Sequence, residues 1–203
     1  MCVAFLRGIA FLLLAVLVGC GGPSLDPLPA DATVLAFGDS LTYGTGAPRD
    51  AAYPVVLARL TGLTVINAGV PGEVSAAGRE RLPELLEEHR PDLVLLVHGG
   101  NDTLRKLPPG ETRSNLHAMV EAGRSAGAQV AMLGVPGRSF TLSAPAFYEE
   151  VAEELVVPID SGTLPGLLRD RSLKSDPVHL NAAGYRRLAE AVQALLVEAG
   201  ALP

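Results

Sequence analysis

Five short apolar runs separated by amphipathic helical stretches predict a three-layer α/β/α domain built on a five-stranded parallel sheet. Two features carry this expectation. The runs are continuous rather than alternating, as strands buried on both faces require, and each is followed by a stretch with helical spacing of its apolar residues. The chain has 203 residues, 48% of them hydrophobic and 19% charged, which suits one domain with a sizeable core. In order, strands are expected over residues 34–37, 64–66, 93–97, 129–133 and 156–159. Helices are expected over 53–60, 79–89, 112–126, 146–154 and 181–199, and no internal repeat or low-complexity run interrupts the alternation. In such sheets ligands sit at the carboxyl ends of the strands, so the polar residues just after each run become the candidates for chemistry.

The N-terminal twenty residues have a different character. Arg7 is followed by an almost wholly apolar stretch over 9–18, too short to span a hydrocarbon layer, for which about 20 apolar residues are needed. The stretch ends in Leu17-Val18-Gly19-Cys20, which resembles a bacterial lipobox. The division expected is a lipoprotein signal peptide over 1–19, a lipidated Cys20 with a flexible tether over 20–31, and the folded domain over 32–203. The alternative is an ordinary cleaved signal with an incidental cysteine. Cys2 falls in the discarded part, leaving the folded domain no thiol for a disulfide, a metal or nucleophilic attack.

Composition excludes other functions. A net charge of -6, with Lys and Arg scattered, leaves no basic surface for nucleic acid, and 4% aromatic residues without Trp make stacking platforms improbable. No cluster of His, Cys and carboxylates has metal-ligand spacing, so neither metal nor cofactor is expected.

Ser40 follows the first strand in Gly38-Asp39-Ser40-Leu41. Such a serine is commonly a helix N-cap, and as a nucleophile it needs a base with an orienting acid behind it. Of four histidines, His89 ends a helix among charges, where a solvated cation suits the helix dipole, and His117 lies mid-helix among polar residues. His98 ends the third strand with Asp102 as its one nearby carboxylate, a supporting rather than a reacting position. His179 differs, because Asp176 precedes it by three residues and a helix start follows. A carboxylate accepting from Nδ1 fixes the tautomer and leaves Nε2 as base. Asp176 or Asn181 acting only as a helix cap is the competing reading.

Taken together, Gly38-Asp39-Ser40-Leu41, Asn67-Ala68-Gly69-Val70-Pro71-Gly72, Gly99-Gly100-Asn101-Asp102 and Asp176-Pro177-Val178-His179 resemble, in order, the four signature blocks of the SGNH (GDSL-type) hydrolases. The resemblance covers residues 32–203 and is closest to the compact bacterial branch of thioesterases, arylesterases and lysophospholipases. It implies a flavodoxin-like SGNH hydrolase fold, with Ser40 as nucleophile, His179 as general base and then acid, and Asp176 as its partner. It further implies an oxyanion hole from the N–H groups of Ser40 and Gly72 and the Asn101 amide, each donor worth roughly 2.7–4 kcal/mol. Glycines at 72 and at 99–100 would let backbone approach substrate closely. Asn67 is expected to support the Gly72 loop, and Asp39 and Asp102 to serve as structural anchors.

The activity so implied is hydrolysis of short to medium acyl or aryl esters, extending to thioesters and lysophospholipids, at the bacterial cell envelope. A Gram-negative source would place it on the periplasmic or outer-membrane side. The partners expected are a small ester substrate and, through Cys20, a membrane; the default assembly is a monomer. The loops over 103–110 and 138–145, with Phe140 and Leu142, are candidate walls for an acyl chain. The alternatives are an O-acetyl esterase acting on an envelope or secreted polysaccharide, and a lipoprotein that keeps the fold as a non-enzymatic scaffold.

Overall fold

The structure is a computed structural model that describes residues 22–137 and 142–203; the expected signal segment, Cys20 and Phe140 lie outside the described residues. Five strands, β1 (Thr33–Gly38), β2 (Thr64–Gly69), β3 (Leu93–Val97), β4 (Gln129–Leu133) and β5 (Ile159–Asp160), form one parallel sheet in the order β2-β1-β3-β4-β5. The helices are α1 (Ser40–Tyr43), α2 (Tyr53–Thr61), α3 (Ser75–His89), α4 (Gly100–Leu104), α5 (Pro109–Ser125), α6 (Phe147–Leu155), α7 (Thr163–Arg169) and α8 (Ala182–Glu198). One layer packs α2 on α8 and α8 on α7, and the other packs α3 on α5 and α5 on α6. This is the three-layer α/β/α architecture expected from the apolar runs.

Burial follows position in the sheet. Every residue of the central strand β3 is buried, as are five of six in β1, which is why both read as unbroken apolar runs. At the edge, β2 is only partly covered, and its two most polar positions, Thr64 and Asn67, are exposed. The other edge departs from expectation, because β5 has only two residues where four were expected. Val156 is instead the left-handed cap of α6, with φ +52°, and Pro158 has no N–H to give the ladder. Three short helices, α1, α4 and α7, were not anticipated, since four to seven residues are too few to display a 3.6-residue period.

A second departure concerns the tether. From Leu25 onward the segment is docked rather than free. Leu25 and Leu28 donate their N–H groups to the carbonyls of Ala199 and Ala201 at 2.8 and 2.9 Å, and both side chains pack on the core. Gln129 clasps the backbone of Asp26 in both directions, accepting at 2.6 Å and donating at 2.9 Å. Since Gln129 begins β4 and Ala199 caps the end of α8, this clasp lies at the amino end of the sheet, opposite Ser40.

Candidate active site

Chain direction sets the site. β1 ends at Gly38, and the Asp39 side chain caps α1 by accepting the Leu41 N–H at 3.0 Å. The cap is therefore Asp39, and Ser40, the first residue of α1, keeps its hydroxyl for other use. That hydroxyl lies 3.0 Å from His179 Nε2, across 139 residues of sequence.

The second arm is the turn before α8. Asp176 accepts the N–H groups of Val178 and His179 on Oδ1, both at 2.9 Å, which closes a tight turn. Its Oδ2 stands 2.7 Å from His179 Nδ1. Asn181, not Asp176, caps α8, accepting from the Gly184 N–H at 3.0 Å. The carboxylate thus remains available to the imidazole. Partial burial pushes the Asp176 pKa up, but the hydrogen bonds from His179 and from the Val178 and His179 backbone outweigh it, and the net shift is down. An ionised Asp176 accepts a hydrogen bond from Nδ1–H, which keeps the proton on Nδ1, so Nε2 faces Ser40 with a lone pair.

The remaining expected residues come from the loops after β2 and β3. Gly72 has φ +79°, a conformation other residues adopt only under strain, and its carbonyl is held by Arg105 Nη2 at 2.7 Å. Asn101 lies in α4, where its Nδ2 donates to Asp39 Oδ2 and to the Glu73 carbonyl, each at 3.0 Å. Both amide hydrogens are therefore committed within the protein. Ser40, His179, Gly72 and Asn101 line one cavity of about 570 Å³, whose far walls are apolar and include Leu104, Val135, Leu142 and Leu168. The arrangement places a serine and a lone pair to take its proton beside an apolar recess that Gly72 and Asn101 also line. This is the equipment of acyl transfer.

Residues 36–187 match the model of the GDSL-like Lipase/Acylhydrolase family. The chain belongs to this family. It is 32% identical over 161 residues to Thioesterase 1/protease 1/lysophospholipase L1 of Escherichia coli strain K12, covering 73% of this chain and 76% of that protein. An arylesterase of Vibrio mimicus is 38% identical over 111 residues, 52% of this chain and 56% of the relative, so the match spans little more than half that protein's length. Among solved structures, TesA superposes with a TM-score of 0.73 at 29% identity, over 81% of this chain and 97% of that one. AlinE4, an SGNH-hydrolase family esterase, gives 0.63 at 29%, over 83% and 96%.

Within this GDSL-family site, Asp102 is the anchor expected: it accepts the Ser75 N–H at 2.8 Å, the Ser75 hydroxyl at 2.5 Å and the Thr112 hydroxyl at 3.3 Å. Asp39 is a second anchor, and burial raises its carboxyl above the ordinary value despite the nearby imidazoles of His98 and His179. His98 corrects the reading that made Asp102 its only nearby carboxylate: its Nε2 meets Glu73 Oε2 at 3.0 Å. Asn67 also does something other than expected. It donates to the Tyr43 carbonyl at 3.4 Å and accepts the Gly69 N–H at 3.0 Å, tying β2 to α1 rather than reaching Gly72. His89 and His117 are partly exposed beside Glu88 and Glu154. Of the expected loop over 103–110 only residues 105–108 are non-helical, since α4 runs to Leu104 and α5 starts at Pro109. Glu73, Arg81 and Arg105 escaped sequence reading because their partners lie 8 to 33 positions away, beyond any local spacing rule. Among the described residues no group of three or more His, Cys, Asp or Glu could hold a metal ion.

Proposed function

We propose that this family member is a serine esterase that hydrolyses short to medium acyl and aryl esters, with thioesters and lysophospholipids in its range, through an acyl-enzyme. The observation that carries this reading is the 3.0 Å approach of Ser40 Oγ to His179 Nε2 at the floor of an apolar-walled cavity. Oγ attacks the ester carbonyl as Nε2 takes its proton, and the imidazolium is stabilised by Asp176. The carbonyl electrons move onto oxygen and are met by the N–H groups of Ser40 and Gly72 and by Asn101 Nδ2, which exchanges one of its internal acceptors for the oxyanion. Collapse expels the alcohol with the proton from His179. Water then repeats the sequence and releases the acid. Relatives named as arylesterase and as thioesterase/lysophospholipase support the substrate range.

The reading includes export and anchoring through a lipid on Cys20. Between that residue and the clasp at Leu25 lie only a few residues, a span of about 18 Å at full extension. The clasp is at the amino end of the sheet and Ser40 at the carboxyl end, separated by β1, whose six residues rise about 20 Å. An anchored domain so held opens its cavity away from its own bilayer, toward esters arriving from the aqueous side.

The test is turnover of p-nitrophenyl acetate, octanoate and palmitate by purified residues 21–203, set against acetate release from acetylated glycans. Acyl-ester turnover that disappears in Ser40→Ala is the expected result. Preference for the glycan would replace this reading with the polysaccharide one.

A further inference from the structure

We propose that His98 is a positioning residue, which through Glu73 ties the loop carrying Gly72 to the loop carrying Asn101 and so fixes the oxyanion donors. The proposal rests on the serine-esterase reading above. Glu73 follows Gly72 directly, and its carbonyl accepts from Asn101 Nδ2 at 3.0 Å. One residue therefore touches both non-serine donors.

The Glu73 carboxylate is immobilised from two sides. Arg81 grips it with Nε at 2.8 Å and Nη2 at 2.7 Å, and His98 Nε2 meets Oε2 at 3.0 Å. Burial opposes its charge, yet the Arg81 and His98 contacts hold its pKa down at about 2. The tautomer of His98 is set by its own chain: Nδ1 accepts the Gly99 N–H at 2.9 Å, so the proton sits on Nε2 and is donated to Glu73. The same imidazole thus bonds the β3 loop through Nδ1 and the β2 loop through Nε2. Tyr148 adds a third tie by donating to the His98 carbonyl at 2.7 Å.

The slot for this ring is built. Its side chain has no exposed surface, its plane stacks on Phe37 with centroids 5.8 Å apart, and Arg81 lies 4.3 Å from the Phe37 centroid. Gly78 makes room, since a Cβ there would lie 2.4 Å from Nε2. His98 is absent from the lining of the cavity, so it touches no substrate and acts only through what it holds. A packing role alone would be met by an apolar side chain. A bond to each loop is what an apolar side chain cannot supply.

The experiment compares His98→Leu, which keeps bulk and loses both bonds, with His98→Gln, whose amide can again donate to Glu73. Turnover of p-nitrophenyl butyrate is measured beside thermal unfolding. The expected result for folded His98→Leu is a fall in kcat of about 10- to 100-fold with KM changed less than about 3-fold, because oxyanion donors act on the transition state. His98→Gln recovers most of it. In an Asn101→Ala background the His98→Leu substitution should cost clearly less than it does alone. Wild-type kcat in folded His98→Leu overturns the proposal, whatever its melting temperature. If that variant does not fold, His98→Asn decides, being small enough for the slot and too short to reach Glu73; full kcat there overturns it equally. Ser40→Ala is run alongside: activity surviving in it defeats the esterase reading itself, a failure distinct from that of His98.

Discussion

Asn101 Nδ2 and Asp39 Oδ2 stand 3.0 Å apart, so the Asn101 amide is held by the residue that precedes Ser40. The same carboxylate group caps α1 through Leu41. Ser40 and Asn101 are thus set relative to each other by one buried side chain. Replacing Asn101 by Ala removes the donor and leaves Ser40 and His179 in place. The expected result is a loss of about 10²- to 10³-fold in kcat with little change in KM, read from steady-state kinetics on p-nitrophenyl butyrate.

Ser40→Ala and His179→Ala should each abolish turnover, and the double variant should be no slower than either one. Groups that act as one unit are non-additive in this way. Asp176→Ala should be less severe, since the imidazole remains beside Ser40 but loses its orienting acceptor. Equal additive losses across the three variants would argue against a shared proton path.

The depressed pKa of Glu73 makes a stability prediction. Its folded value of about 2 lies below the ordinary value of 4.5, so the ionised form stabilises the fold at pH above about 4.5 and this contribution is lost as pH falls toward 2. Glu73→Gln should therefore be destabilised at pH 7, on the order of 2 kcal/mol, with a smaller gap at pH 3 that closes only as pH falls through about 2. Urea unfolding at the two pH values measures it, and a gap that widens on acidification would contradict the linkage.

Leu104 tests the apolar wall. It lines the cavity while 37% exposed, so Leu104→Ser removes apolar contact without emptying the core. The ratio of kcat/KM for octanoate over acetate should fall about 5- to 10-fold, matching partial loss of a leucine contact of ~1 kcal/mol. An unchanged ratio would mean that the acyl chain lies elsewhere.

The clasp at Leu25 and Asp26 predicts orientation. If the chain is anchored as proposed, a flexible Gly-Ser insertion of about 30 residues between Ser24 and Leu25 of the full-length chain on vesicles should leave turnover of a soluble ester unchanged. It should raise turnover of a lysophospholipid in the same bilayer. Vesicle flotation checks the anchor independently, so absence of lipidation is seen as failure to float rather than as an altered rate.

Much of the site was legible in the chain because its parts are local. The Asp176–His179 pair closes within one turn, and the apolar runs over 93–97 and 129–133 coincide with β3 and β4 because central strands are buried on both faces. Val156 misled for the opposite reason. Its apolar side chain suits a strand, yet the preceding helix ends there in a left-handed cap and leaves it 62% exposed. The segment before β1 read as a tether since Gly, Pro and Ser show no period, while the groups that hold it, at Gln129, Ala199 and Ala201, lie at least 100 positions away.

The sequence by itself determined the α/β/α class, the family blocks and the residue types needed for acyl transfer, because burial pattern and short motifs are properties of neighbours along the chain. Only the tertiary structure decided that Asp39 rather than Ser40 caps α1, and that Asn101 is held by Asp39 and Glu73. It also paired His98 with Glu73 rather than Asp102. Those choices depend on hydrogen-bond geometry of a few ångströms between loops that a parallel sheet brings to one end, and no spacing in the sequence encodes that proximity.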